Sequence, residues 1–172
     1  MNVLFVAALL AVAVPAAAQT RSTSIVQDLR DREFATIRGD MVAAGELMPE
    51  GDYAFKPVAT VRSFGEEIAH ATAVNRRLCG MASGATAPPA QPPAPAVGKG
   101  ALMTALRDSF ERCAAVLAAA TDESVLTPTV GPYIRASHLT AMVAHNTEVY
   151  GKLALMLRMK DLVPPSTARQ TK

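Results

Sequence analysis

The sequence predicts an all-α fold, an antiparallel or crossover four-helix bundle that follows a short leader. Four segments carry apolar residues at steps of three and four, and this spacing places those residues along one face of a helix. No segment of useful length alternates apolar and polar residues as a half-buried strand does. Stretches rich in proline and glycine separate the four segments, and a length of 172 residues suits a single domain.

The N-terminus has the pattern of a secretory signal peptide. Residues 3–14 are apolar throughout, and Ala16-Ala17-Ala18 forms an Ala-x-Ala cleavage site. The apolar run is shorter than the roughly 20 residues that a membrane-spanning helix needs. We therefore expect cleavage of residues 1–18, a mature domain of residues 19–172 that is periplasmic or secreted, and no stable membrane insertion. An uncleaved anchor and a buried helix are the alternatives.

The first predicted helix covers residues 24–48, and the second begins at a capping box and runs to about Met81. Ser63 and Glu66 stand at the two positions of the box. The serine hydroxyl accepts a hydrogen bond from a free backbone N–H of the first turn, and the glutamate carboxylate accepts one from the backbone N–H of Ser63. The loop between the two helices, residues 49–60, carries aromatic side chains and is long enough to pack them itself or to cover a site.

The third and fourth helices follow a proline-rich linker. Residues 84–100 contain five prolines among alanines and glycines, so this linker is not a core element. The third helix covers about residues 101–120 and the fourth about residues 136–160, and Pro164-Pro165 is expected to stop any continuation. Asn146 lies in the centre of the apolar stripe of the fourth helix, and we expect its amide to bond a neighbouring backbone group.

Cys79 and Cys113 are the two cysteines of the chain, and an even number in an exported protein favours a disulfide. The bridge would close a loop of about 34 residues and contribute about 3–4 kcal/mol in the chain-entropy model. Cys113 falls in the middle of the third helix and Cys79 near the end of the second. If the second and third helices are antiparallel neighbours, the two cysteines can meet only if the third helix begins well past the end of the second. The alternative is two separate buried thiols.

The charge pattern argues against nucleic-acid binding. The net charge is +2, the basic residues are spread along the chain, and Trp is absent. A basic groove with aromatic stacking platforms is therefore not predicted, and we expect no nucleic-acid partner. Neither a Ser-His-Asp arrangement nor a phosphate-binding glycine loop is evident.

Two histidines are expected to meet at the edge of the core. The stripe of the fourth helix places His145 and Val149 on one flank, and His70 occupies the same flanking position on the second helix. Two imidazoles that converge from neighbouring helices form the layout that a metal site in a bundle requires. His138 lies roughly 10.5 Å from His145 along the helix axis, which is too far for the two to share one ion.

Two stretches of the sequence resemble the DinB-like (damage-inducible B) family of four-helix bundles. Residues 145–151, His-Asn-Thr-Glu-Val-Tyr-Gly, are similar to the family's closing segment His-x-x-x-His-Tyr-Gly, and residues 49–57 with 61–66 are similar to its first crossover. The resemblance implies a divalent metal ion held by three histidines, at positions that correspond here to His70, His145 and Val149. The valine indicates a triad that has lost one ligand.

The incomplete triad predicts weak binding of Zn²⁺ or Ni²⁺ at His70 and His145. Glu67 is a candidate third ligand because it lies three residues before His70, and Glu-x-x-His is a pairing that bundles use for metals. Its alternative role is an acid in the first turn of a helix, where the dipole favours a negative charge. The two histidines also have an alternative interpretation, as half-buried side chains at a pocket rim without any metal.

Two classes of function follow. The first is a non-catalytic exported domain of unknown substrate, whose pocket binds a small molecule or nothing and whose metal site is degraded. The second is a metal-dependent thiol transferase or hydrolase, as the resemblance implies, in which the ion activates a thiol or a water molecule. Either class is compatible with a homodimer.

Overall fold

The structure, a computed structural model, describes residues 22–85 and 98–170, and its regular elements in these ranges are helices joined by loops. Helix α1 consists of Ile25–Asp28, a π-helical stretch Leu29–Phe34, and Ala35–Leu47. Helices α2, α3 and α4 are Phe64–Ser83, Lys99–Ala118 and Arg135–Arg158, and a short α5 is Pro165–Gln170. The described ranges contain no β-strand, so the predicted all-α bundle is confirmed. The predicted leader and most of the proline-rich linker lie outside the described residues.

Helices α2 and α3 run parallel to each other. Leu102, near the start of α3, packs against Gly65 near the start of α2, while Cys113 meets Cys79 toward the ends of both helices. The connection from Gly84 to Gly98 therefore joins opposite ends of the bundle, a distance of about 30 Å for helices of this length. The bundle is thus of the crossover type. Among the helices in the described ranges, none is long and apolar enough to cross a membrane.

The predicted disulfide is present. Cys79 and Cys113 are bonded, their Cα atoms are 5.2 Å apart, and both residues are buried in the core. The offset that an antiparallel pair would need is not required, because in the parallel arrangement two residues late in both helices lie side by side. The bridge thereby fastens the two helices that the crossover joins.

A buried polar cluster lies between the central helices. The Asn146 amide nitrogen donates to Asn75 Oδ1 at 2.6 Å and to the Met142 carbonyl at 2.8 Å, and Asn75 donates to Ser109 Oγ at 3.2 Å. The expectation for Asn146 is therefore corrected: its partner on the neighbouring helix is a side chain, and its backbone bond is made within α4. A hydrogen-bonded amide pair in an apolar core fixes how α2 and α4 pack, because a shift would leave buried polar groups unpaired.

The C-terminal segment returns to the bundle as α5, which the sequence did not predict. Pro165 is the first residue of this helix, a position that proline suits because its missing N–H would have no helical partner there. The Tyr150 hydroxyl donates to Ser166 Oγ at 2.8 Å, and Arg169 pairs with the buried carboxylate of Asp40 on α1 through two nitrogens. The two prolines therefore end the α4 direction, but they do not end the fold.

Candidate metal centre

The start of α2 positions the first candidate ligand. Ser63 accepts a hydrogen bond from the Glu66 backbone N–H at 3.2 Å, and Glu66 Oε2 accepts one from the Ser63 N–H at 2.6 Å. The predicted capping box is confirmed. Lys56 of the preceding loop lies 2.8 Å from the Glu66 carboxylate, and this contact lowers the pKa of Glu66. The box fixes the phase of the helix, and His70 follows one turn later.

The structure brings His70 and His145 together across α2 and α4. Their Nε2 atoms are 3.0 Å apart, and the rings meet edge to face with centroids separated by 4.8 Å. Both side chains are half-buried. The two rings therefore meet where the sequence predicted, while their role as metal ligands stays a prediction.

The surroundings favour neutral imidazoles. Burial lowers the pKa of His70, and the positive charge of Arg62 lowers it further. Burial also lowers the pKa of His145, and the neighbouring His70 ring adds to this effect. Removing water from an imidazolium destabilises the charged form, so both rings release their protons more readily than a free histidine. Neutral imidazole is the form that binds a metal ion.

The lowered pKa values predict that the histidine pair destabilises the fold in acid. The ordinary histidine pKa is about 6.5, and the folded protein binds these protons less well than the unfolded chain does. Between the lowered pKa of the folded state and the ordinary pKa of the unfolded chain, the free energy of unfolding therefore rises with pH. This stability is lost as the pH falls through that window. In chelator, the melting temperature should fall less between pH 7.5 and pH 5 for the double variant His70→Gln/His145→Gln than for wild type. An equal fall in both proteins would contradict the prediction.

The distance between the two rings is close to what one shared ion requires. Two nitrogens that each lie about 2.0–2.1 Å from a tetrahedral Zn²⁺ are roughly 3.3 Å apart, so a small outward movement of either ring would admit the ion. Val149, the residue at which the resemblance predicts a third ligand position, lies on α4 one turn after His145 and is fully buried. A two-nitrogen donor set suits a divalent cation such as Zn²⁺ or Ni²⁺ but leaves it without a third protein ligand.

Two further observations bear on the strength of such a site. His145 Nδ1 is buried and has no hydrogen-bond partner within the described residues, whereas a ligating histidine normally donates this N–H to a second group. Across residues 22–85 and 98–170, no group of three or more His, Cys, Asp or Glu side chains converges closely enough to hold a metal ion. The geometry therefore fits a weak two-histidine site better than a complete one.

Glu67 lies beside the pair but faces Arg62. Its carboxylate is only 4% exposed, Oε1 is 3.6 Å from an Arg62 nitrogen, and Oε2 has no hydrogen-bond partner within the described residues. The negative charge of Glu67 partly offsets the lowering of the His70 pKa by burial and by Arg62. The role of Glu67 as a third ligand stays a prediction.

A pocket of about 530 Å³ borders the Glu67 carboxylate. Its walls come from the loop before α2, the first turn of α2 and the second half of α4: Pro57, Thr60, Val61, Arg62, Glu67, Lys152, Leu155 and Met156. Sequence reasoning missed Arg62 and Lys152. Their signal was positional, since Arg62 precedes the capping box and Lys152 lies seven residues after His145, two turns along the same helical face.

His138 takes no part in this site. It is buried near the other end of α4, and its ring meets Tyr133 edge to face with centroids 5.9 Å apart. The candidate centre therefore consists of His70 and His145, with Glu67 and the charged pocket at its side.

Sequence comparison supports the fold and covers both histidines. The family model of the DinB superfamily matches residues 18–148, a segment that includes His70 and His145 and ends one residue before Val149. No match to this chain is found among curated proteins. Because the matched segment spans well over half of the sequence, the chain belongs to the DinB superfamily.

Proposed function

We propose that this protein is an exported DinB-superfamily domain in which His70 and His145 form an incomplete site for a divalent metal ion. The observation that carries the proposal is the 3.0 Å separation of the two Nε2 atoms on adjacent helices. Their lowered pKa values keep both rings in the neutral form that coordinates metals. With Val149 in the third position, the expected affinity for Zn²⁺ or Ni²⁺ is weak.

Export is the second part of the proposal. The apolar leader with its Ala-x-Ala end supports it, and so does the disulfide between Cys79 and Cys113, since such bonds persist in oxidising compartments. Intact mass of the protein from the envelope fraction of its native host tests this part. A mass that corresponds to residues 19–172 supports export, and a mass that includes residues 1–18 contradicts it.

Titration of the purified mature protein with Ni²⁺ tests the metal site. Calorimetry should show weak binding in wild type that is lost in His70→Ala and in His145→Ala. His138→Gln is the matched control, because it removes the histidine that lies outside the pair and should leave binding unchanged. Equal binding by wild type and by both alanine variants would overturn the proposal.

The second candidate is a metal-dependent thiol transferase or hydrolase. The observation that favours it is the open pocket of about 530 Å³, which is within the size range of small-molecule sites and whose charged lining residues act electrostatically on His70, although neither histidine lines it. A bound ion would supply Lewis-acid activation of a thiol or water. The protein residues would hold that ion through His70 and His145, while Arg62 and Lys152 would orient a substrate. Consumption of a thiol with an electrophilic acceptor, dependent on Zn²⁺ and absent in His145→Ala, would separate this candidate from a non-catalytic domain.

A further inference from the structure

The pocket beside the histidine pair combines three charged side chains with an apolar wall. Arg62 and Lys152 bring two cations from two elements, the loop before α2 and the helix α4, and Glu67 brings a buried carboxylate. Pro57, Val61, Leu155 and Met156 supply the apolar surface. Leu155 is 56% exposed, so part of this apolar surface is open to a ligand. The chemistry therefore favours a ligand with both a charged end and an apolar body.

Glu67 is the least satisfied group in this pocket. Its carboxylate is 4% exposed, and among the residues that the structure describes its charged partner is Arg62, at 3.6 Å, which is longer than a good hydrogen bond. Oε2 has no partner within the described residues. Burial of a carboxylate oxygen without a donor is costly, so a ligand that supplies an N–H or O–H at this point would gain free energy. Rotation about the last bond of the side chain allows either oxygen to face that donor.

The two cations are only partly neutralised by the protein. Lys152 contacts Glu148 at 2.7 Å on the outer face of α4, where the Glu148 side chain is 65% exposed. Arg62 pairs with Glu67 and keeps a side chain that is 48% exposed. Both cations line the same pocket, and the charge of each contributes to the lowered pKa of His70. An anionic group that enters the pocket would therefore meet two positive charges, and a guanidinium binds a carboxylate in a fork.

We propose that this pocket binds an α-amino acid with an apolar side chain. Its carboxylate would lie between Arg62 and Lys152, its ammonium would donate to Glu67, and its side chain would pack on Val61, Leu155 and Met156. Glu67 and Arg62 are direct neighbours, so the donor and the acceptor of the ligand must also be close together. An α-amino acid meets this demand because its charged groups are on the same carbon. The inference goes beyond the metal proposal and does not depend on it.

NMR titration in the presence of chelator tests the inference with L-leucine as the probe. Two analogues dissect it: 4-methylpentanoate lacks the ammonium and isopentylamine lacks the carboxylate. We expect leucine to shift the amide signals around Arg62, Glu67 and Leu155, and to bind about tenfold or more tightly than either analogue, as the loss of one charge-assisted contact implies. Failure of leucine to shift these signals, or equal binding of all three compounds, overturns the proposal.

Variants assign the contacts. Arg62→Gln and Lys152→Gln should each weaken leucine binding, and Glu67→Gln should weaken leucine while sparing 4-methylpentanoate. Arg32→Gln is the matched control, since Arg32 is an exposed arginine of α1 with a side chain 74% exposed, away from the pocket. Dispersed spectra verify that each variant is folded. Equal loss of leucine binding in Arg32→Gln, or no loss in Arg62→Gln, would contradict the assignment. Because chelator is present, a failed metal titration and a failed leucine titration are separate results.

Discussion

Removal of the Cys79–Cys113 bridge is expected to lower the free energy of unfolding by about 3–4 kcal/mol, the value for a loop of this size in the chain-entropy model. The physical reason lies in the unfolded state. The bridge closes a loop with a sequence separation of 34 residues, and without it the chain gains that conformational freedom on unfolding. The loop includes the crossover, so the bridge also holds the parallel pair α2 and α3 that no short turn connects.

Urea unfolding followed by circular dichroism measures this effect. The double variant Cys79→Ala/Cys113→Ala should unfold at a lower midpoint than oxidised wild type. Wild type that was reduced in denaturant is the control, since it lacks the cross-link but keeps both sulfurs in the buried positions that Cys79 and Cys113 occupy. Agreement between the control and the variant assigns the loss to the cross-link. A loss below about 1 kcal/mol in both would contradict the loop-closure argument.

The fold was predictable from the sequence because helical periodicity records which face of each segment is buried. Phe34, Ile37, Met41 and Ala44 recur at steps of three and four in the first predicted helix, and all four are buried in the structure. Periodicity does not record helix direction, however, so the parallel arrangement of α2 and α3 could not be read from it. The cysteine positions held the relevant signal, since their places within the two helices fit a parallel pair directly and an antiparallel pair only with an offset.

Helix α5 and the partner of Asn146 show two other limits of sequence reasoning. The Pro164-Pro165 pair predicts a stop, but proline also opens helices. Helix α5 docks through contacts such as the pairing of Arg169 with Asp40, two residues that are 129 positions apart in the sequence. The amide of Asn146 was expected to find a backbone group, yet the partner that α2 presents is Asn75. Both outcomes depend on which helices become neighbours, and local sequence does not specify this.

The candidate site was predictable in part. The meeting of His70 and His145 followed from the phase of two helices, because both residues flank stripes that must face the same core. The charged pocket did not follow, because Arg62 lies in a loop whose path depends on packing. Tyr53 anchors that loop: its hydroxyl donates to the Gly45 carbonyl at 2.8 Å, and burial raises its pKa. Tertiary contacts of this kind bring Arg62 and Lys152 to the same pocket.

Val149→His is expected to raise the affinity for Ni²⁺ or Zn²⁺ by at least about tenfold, since a tenfold change corresponds to only about 1.4 kcal/mol. The new imidazole would stand four residues after His145 on one face of α4 and would add a third nitrogen beside the existing pair. Without metal, the same change replaces a fully buried apolar group by a polar ring, which costs stability. The variant should therefore be less stable than wild type in chelator.

With excess metal, Val149→His should instead be more stable than wild type, because an ion that binds only the folded state stabilises it by mass action. This stabilisation is about 2.7 kcal/mol at a free concentration of 100 times the dissociation constant. Calorimetric titration and thermal melts with chelator and with Ni²⁺ measure both halves of the prediction. The double variant Val149→His/His70→Ala is the matched control, since it keeps the new ring but removes one member of the pair, and its gain in affinity should be smaller. If Val149→His folds and gains no metal affinity over wild type, then the His70–His145 pair is not a metal site that lost one ligand, and its imidazoles serve only to pack α2 against α4.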